Sequence, residues 1–205
     1  MRKWLILAGM VVAMVVAAFA LSPWPSVLLV RAAFDRGAAQ ASQKLAPHVP
    51  DAVTTTTHHY DPANPGVALD IHRKPGSDGD GPTVVWIHGG GFVSGRRGDI
   101  TNYAKVLAGQ GFVVVNVDYT IAPEARYPEP VRQVSRALAY LAREGGTLGV
   151  DASRIVLAGD SAGAQIAAQT AAVVTNPAYA ALVGVQPEIR PGQLVGALLY
   201  CGVYD

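Results

Sequence analysis

One serine of this sequence sits between two glycines, in the run GDSAG (159–163), and its surroundings suit a nucleophile. The run fits the pattern G-x-S-x-G, in which Ser161 is the candidate nucleophile. Gly159 and Gly163 leave space around the serine, and Asp160 is a third supporting position. The residue types therefore indicate covalent chemistry through a serine hydroxyl, which needs a base to take its proton.

The neighbouring runs predict the strand-to-helix turn on which such a serine acts. RIVLAGD (154–160) is typical of a buried strand, and AGAQIAAQTAAVV (162–174) is typical of a helix. The N-terminus of that helix and the Ala162 N–H both favour a developing oxyanion. The alternative interpretation is a glycine-containing turn with an incidental serine.

A second glycine-rich run, HGGGF (88–92), follows the buried strand predicted for TVVWIH (83–88). Consecutive glycines let backbone N–H groups approach a ligand closely, so Gly90 and Gly91 are candidate oxyanion donors. A bare glycine turn and a phosphate-binding loop are the alternatives. The phosphate-binding loop is disfavoured because no Gly-Lys-Ser/Thr follows and the run does not lead directly into a helix.

His88 and Gly89 are predicted to support this loop. His88 ends an inner strand, where an imidazole is suited to a hydrogen bond that fixes the loop, and proton transfer by His88 is the less favoured alternative. A metal site at His58, His59 and His72 is disfavoured, because adjacent strand residues point to opposite faces. We therefore expect no metal site at these histidines.

The elements that position these motifs alternate between strands and helices. Two leading strands, at 53–60 and 67–74, have no helix between them, and the second is predicted to be half-buried. The pattern predicts an α/β fold with a mostly parallel sheet, helices on both faces and an antiparallel N-terminal edge. After residue 80 the order is strand 83–88, helix 101–110, strand 112–119, helix 131–144 ended by Gly145-Gly146, strand 154–160, helix 162–174 and strand 194–204.

Three runs in this order, HGGGF, DYTIAPEARYP (118–128) and GDSAG, resemble the hormone-sensitive-lipase-like esterases of the α/β-hydrolases, over roughly residues 65–205. The resemblance implies the α/β-hydrolase fold and hydrolysis of short- to medium-chain carboxylic esters, without metal or cofactor. It also implies that Ser161 is the nucleophile and that Gly90, Gly91 and Ala162 form the oxyanion hole.

Two departures from the family pattern follow. Thr120-Ile121 replace the usual arginine-leucine, which changes a supporting loop in which Asp118 and Glu124 are expected to act as braces. The family order is Ser, then Asp or Glu, then His, yet the only carboxylates after Ser161 are Glu188 and Asp205, and no histidine follows.

We therefore expect a C-terminally incomplete hydrolase domain that lacks later strands, the triad acid and the triad histidine, and that shows little turnover alone. The alternatives are a complete but catalytically inactive hydrolase-like binding protein, and a peptidase or amidase on the same scaffold.

The N-terminus predicts export. Arg2 and Lys3 precede an uncharged run from Trp4 to Val30, so residues 1–25 are interpreted as a membrane anchor, which is favoured, or as a cleaved signal peptide. Residues 26–50 are interpreted as a helical linker that lies on the membrane or packs on the domain, and residues 51–205 as the N-terminal portion of the hydrolase domain.

Composition excludes other classes of function. The 205 residues carry a net charge of +1 with no basic cluster, so nucleic-acid binding is not expected. The single cysteine, Cys201, excludes an internal disulfide, and its apolar surroundings predict a buried thiol. A small ester is the expected partner.

Overall fold

β-Branched and apolar runs form one six-stranded sheet in the computed structural model, which describes residues 2–76 and 81–204. The spatial order is β1-β2-β4-β3-β5-β6, in which β1, β2 and β4 pair antiparallel and β4, β3, β5 and β6 pair parallel. This confirms the predicted mostly parallel sheet with an antiparallel N-terminal edge. The strands are β1 (Thr54–His58), β2 (Leu69–Arg73), β3 (Thr83–Ile87), β4 (Val114–Val117), β5 (Ile155–Asp160) and β6 (Leu194–Tyr200).

Helices cover both faces of the sheet. On one face, α4 and α5 pack against alternate strand residues such as Val85 and Ile87, and on the other face α3 packs against Val84 and Trp86. The helices are α1 (Arg2–Leu21), α2 (Trp24–Leu45), α3 (Thr101–Gly109), α4 (Glu129–Leu148), α5 (Ala162–Thr175) and α6 (Pro177–Val183), with short 3-10 helices at Ala46–His48, Arg97–Ile100 and Pro191–Gln193. The sequence pattern did not predict α6 or the short helices.

The predicted end of α4 at Gly145-Gly146 is wrong. The helix continues to Leu148, and Gly149 ends it in the left-handed conformation, with φ 68°. Gly145 has a packing role instead, because a Cβ atom there would lie 2.8 Å from the Val150 carbonyl oxygen. The chain therefore turns back closely over the last turn of α4.

The predicted half-burial of β2 is also wrong. Leu69, Asp70, Ile71 and His72 are all buried, since β2 is paired on both sides and covered on both faces. The two polar side chains have partners in β1: Thr57 donates to Asp70 at 2.6 Å, and the Thr55 hydroxyl lies 2.9 Å from His72 Nδ1. Local hydrogen bonds thus replace the solvent that the alternating pattern suggested.

Cys201 is exposed, which corrects the prediction of a buried thiol. It follows β6, which lies at the edge of the sheet and leaves Val195, Leu198 and Tyr200 exposed. An apolar run has the same appearance in the sequence whether or not a further layer covers it, so the run alone does not fix its burial.

Burial lowers the pKa of His72 to about 4, although the neighbouring Asp70 opposes this effect. The unfolded histidine has a pKa of about 6.5, so between these values the unfolded chain binds a proton that the folded chain does not. The free energy of unfolding is therefore unaffected by protonation of His72 above pH 6.5. As the pH drops toward 4, it falls by on the order of 3 kcal/mol, because the unfolded chain takes up the proton.

We expect His72→Gln to flatten this part of the pH dependence of the free energy of unfolding, measured by urea titration between pH 4.5 and 7. The exposed-site variant His48→Gln is the control and is expected to follow the parent chain. An unchanged slope in His72→Gln would show that the buried imidazole does not govern acid sensitivity.

Candidate active site

Ser161 occupies a strained turn between β5 and α5. Its backbone has φ 51° and ψ −120°, a conformation that non-glycine residues rarely adopt. The Ser161 N–H donates to the Tyr200 carbonyl at 2.8 Å, and the Ser161 carbonyl accepts from Gln165. This is the conformation of a serine held at the end of a strand with a helix N-terminus directly behind it.

The two flanking glycines make that turn possible. A Cβ atom on Gly159 would lie 2.6 Å from the backbone of Gly163, and a Cβ atom on Gly163 would overlap the carbonyl oxygens of Ile87 and His88. Both positions therefore need glycine because backbone approaches backbone. The same contacts bring the first turn of α5 against the carboxyl end of β3.

Strand register brings the two glycine motifs together. Ile87 on β3 pairs with Gly159 on β5 in a parallel ladder, so the residues that follow both strands emerge at the same edge. Asp160 joins them directly, since its Oδ1 accepts from the Gly89 N–H at 3.2 Å and from Trp86 Nε1 at 3.2 Å. The structure thus places Gly89 and Asp160, which are 71 positions apart, in contact.

The HGGGF loop turns sharply after Gly89. Gly90, Gly91 and Phe92 have φ values of 122°, 60° and 64°, and the Gly90 carbonyl accepts from Ser94 at 2.9 Å. A Cβ atom on Gly90 would overlap the Ser94 carbonyl, so this position excludes other residues. The loop folds back beside the Ser161 turn, where its N–H groups could act as oxyanion donors.

His88 lies beneath the loop and faces away from solvent. A carbonyl can only accept, so the 2.8 Å contact identifies His88 Nδ1–H as the donor to the Gly89 carbonyl. The ring stacks on Tyr119 with centroids 4.3 Å apart, and Nε2 lies 3.9 Å from Asp118. Burial lowers the pKa of His88, so the imidazole is neutral, and its buried Nε2 has no hydrogen-bond partner among the described residues.

A partly buried ion-pair network holds the segment that follows β4. Arg97 pairs with Asp118, which also accepts from the Arg97 N–H at 2.6 Å, and Arg97 Nε lies 3.0 Å from Asp70. Tyr119 donates to the His88 carbonyl at 2.9 Å. Asp118 thus braces the loop, and the DYTIAPEARYP segment holds the end of β3.

Helix α2 lies over both loops, which the sequence pattern did not predict in detail. Arg31 donates to the carbonyls of Val93 at 2.6 Å and Ala122 at 3.0 Å, and it pairs with Glu124 at 2.7 Å. The hydrogen bond from Arg31 lowers the pKa of the Glu124 carboxyl. One guanidinium therefore fixes α2 to the end of the HGGGF loop and to the DYTIAPEARYP segment.

Two cavities flank the HGGGF loop. The larger, about 500 Å³, lies between α2 and the loop, and its lining includes Phe34, Gly37, His88, Gly90 and Asp160. The smaller, about 290 Å³, lies beyond Phe92 and is also lined by Ala122, Tyr127, Gln165 and Ile166. The three- and four-residue spacing of Phe34, Ala38 and Ala41 is the sequence signal that could have placed α2 at the site.

No group of three or more His, Cys, Asp or Glu side chains within residues 2–76 and 81–204 is arranged to hold a metal ion. His72 faces Thr55, and His58 Nε2 contacts Thr56 Oγ1 at 3.0 Å. His72 thus contacts the neighbouring strand, and His58 contacts its own strand.

A family model described as the alpha/beta hydrolase fold matches residues 84–198, which is more than half of the chain. This segment runs from β3 to β6 and contains both glycine motifs. The chain therefore belongs to the α/β-hydrolases, in the hormone-sensitive-lipase-like esterase branch.

Solved esterases share the fold. Esterase B from Lactobacillus rhamnosis is 26% identical with a TM-score of 0.69, and the match covers 87% of this chain and 55% of that one. A bacterial heroin esterase is 31% identical with a TM-score of 0.64, over 84% of this chain and 53% of that one. A Pyrobaculum calidifontis esterase is 33% identical with a TM-score of 0.62, over 74% of this chain and 48% of that one. The chain thus spans about half the length of these esterases.

We expect Asp160→Ala to lower the free energy of unfolding by about 1 to 3 kcal/mol, because the buried N–H groups of Gly89 and Trp86 then lack an acceptor. Asp160→Asn keeps Oδ1 and is the matched control, with a smaller loss expected. Urea unfolding followed by circular dichroism measures both. Equal losses in the two variants would contradict the assigned role of the Oδ1 acceptor.

Proposed function

We propose that this chain carries the nucleophile and oxyanion hole of a serine hydrolase that cleaves carboxylic esters through an acyl-enzyme on Ser161. The observation that carries the proposal is the strained Ser161 turn directly beside the glycine loop. Gly159 and Gly163 carry no Cβ atom that would crowd the turn. This is the arrangement of a serine that must meet a substrate carbonyl.

In the proposed reaction Ser161 Oγ attacks the ester carbonyl carbon as a base takes its proton. The carbonyl oxygen becomes an oxyanion that accepts from the N–H groups of Gly90, Gly91 and Ala162. The carbon–oxygen bond to the alcohol then breaks, the proton passes to the leaving alkoxide, and water hydrolyses the acyl-enzyme. Ala162 begins α5, so its N–H has no partner within that helix.

The base and its acidic partner are proposed to come from a segment outside these 205 residues. His88 is buried and neutral, and its Nδ1–H donates to the Gly89 carbonyl, so its placement favours loop support. The chain spans 53% of the heroin esterase, which leaves a large part of that fold without a counterpart here. Residues 1–205 alone are therefore expected to turn over ester poorly.

The two cavities provide space for the two parts of an ester. Their volumes, about 500 and 290 Å³, are comparable with small-molecule sites. We propose that the acyl and alcohol groups lie on opposite sides of the HGGGF loop. A peptidase or amidase, the first alternative, would use the same groups on an amide. A binding protein, the second alternative, would keep the cavities, but its Ser161 would not react with a fluorophosphonate.

We further propose that α1 anchors the protein in a membrane and that the hydrolase domain is exported. Among the described residues, Arg2–Leu21 is the helix long and apolar enough to cross a bilayer, with a mean hydropathy of 2.6 and none of its residues buried. A signal sequence has the same properties, so cleavage after export is the alternative. Arg2 and Lys3 favour a cytoplasmic N-terminus.

Fluorophosphonate labelling with mass spectrometry tests the nucleophile. We expect slow labelling at Ser161 in the 205-residue chain, faster labelling when imidazole is added as an external base, and none in Ser161→Ala. Ser153→Ala, at an exposed surface serine, is the matched control and should label as the parent does.

Rapid stoichiometric labelling without imidazole would show that a base is already present, and His88→Gln would then identify it. Failure to label at Ser161 even with imidazole would overturn the proposed nucleophile and favour the binding protein.

A further inference from the structure

We propose that the first two turns of α2 lie in the surface of the membrane that α1 crosses, and that the cavity beneath α2 takes a neutral, lipid-soluble ester from that bilayer. This inference rests on the anchoring and the ester hydrolysis proposed above. It adds the source of the substrate and the side of the molecule from which the substrate enters.

The large apolar side chains that α2 exposes lie in its N-terminal half and include Phe34, which is 48% exposed. Leu28 and Leu29 are 57% and 63% exposed, and Trp24 and Val30 are also exposed. These residues continue the uncharged run that begins at Trp4. The second half of the helix instead exposes polar and charged side chains at Arg36, Gln40, Gln43 and Lys44. The change occurs along the helix axis, as expected when only one end enters an apolar medium.

The junction between α1 and α2 keeps these turns close to the bilayer. Only Ser22 and Pro23 separate the two helices, so Trp24 lies at most about 11 Å from the end of α1 at roughly 3.6 Å per residue. Tryptophan is enriched at this depth in membrane proteins. Leu28 follows one helical turn later, about 6 Å further along the axis.

Arg31 prevents α2 from turning its apolar residues inward. Its bonds to Val93, Ala122 and Glu124 fix the rotation of the helix about its axis, and Val27 is the buried residue on the protein side. Leu28 and Leu29 consequently project away from the domain. If α1 crosses a membrane, that membrane is the apolar phase which Leu28 and Leu29 can contact.

The exposed apolar turns lead into the cavity. Val30 is separated by three to four residues from Ala33 and Phe34, which line the cavity, and Gly37 and Ala41 continue the same stripe. Phe34 reaches the glycine loop, because a Cβ atom on Gly91 would lie 3.9 Å from its ring. One face of α2 thus connects the membrane end of the helix to the oxyanion loop.

The lining also indicates which lipid fits. Small and apolar side chains from α2 form one wall, while the polar end contains the carboxylates of Asp99 and Asp160. Asp99 is paired with Arg96 at 3.1 Å, and the Asp160 carboxylate disfavours a phosphate group or a fatty-acid anion in the same space. A neutral ester such as a glyceride has no such penalty.

Site-directed spin labelling of the full chain in phosphatidylcholine vesicles tests the membrane contact. In a Cys201→Ser background, nitroxides are placed at Leu28→Cys and Leu29→Cys on the membrane end, and at Gln40→Cys and Gln43→Cys as controls on the same helix. A label at Val12→Cys reports α1. We expect oxygen to exceed a water-soluble nickel complex in collision accessibility several-fold at positions 12, 28 and 29, and the reverse at 40 and 43.

The label at Val12 separates the two ways in which this test can fail. Lipid exposure at position 12 with aqueous exposure at 28 and 29 would overturn the inference and leave the anchoring intact. Aqueous exposure at position 12 would overturn the anchoring as well. Neither result depends on Ser161 reactivity.

Photo-crosslinking tests delivery from the bilayer. Vesicles carry a diacylglycerol with a diazirine midway along one acyl chain, and crosslinked peptides of the full chain are mapped by mass spectrometry. We expect adducts at residues 33–41 that fall several-fold in Gly37→Trp, which fills the cavity, and persist in Ala39→Trp on the opposite face. Crosslinks confined to α1, or equal yields in the two variants, would overturn delivery to the cavity.

Discussion

The site depends on the contact of two backbones without side chains between them. Gly163, in the first turn of α5, lies against the carbonyls of Ile87 and His88 at the end of β3. That contact fixes the Ser161 turn beside the glycine loop, and the hydrogen bond from Gly89 to Asp160 holds the loop at the same place. Donors placed before the reaction need no reorganisation when charge develops, which is why such a rigid contact suits acyl transfer.

Charged groups around this contact support the loop. The partly buried Asp118 is neutralised by Arg97, while the neutral His88 stacks its ring on Tyr119 and donates its Nδ1–H to the loop backbone. The network therefore supports the geometry of the glycine loop.

Helix α2 connects this rigid site to the N-terminal apolar helix. Arg31 is central because a single side chain contacts the segment after the glycine loop and the segment around Ala122 and Glu124. The cavity wall and the exposed apolar turns belong to the same helix. Access to the cavity and attachment of the domain are thus properties of one element.

The sequence by itself determined the sheet class, the strand and helix alternation and the candidate nucleophile, because glycine spacing and apolar periodicity are local properties of the chain. Tertiary structure decided the rest. Burial of Asp70 and His72 depends on strands paired from distant positions, exposure of Cys201 depends on the edge position of β6, and the partnership of Asp160 with Gly89 depends on parallel register. The place of α2 was decided by Arg31, whose partners lie 62 to 93 positions away and leave no local pattern.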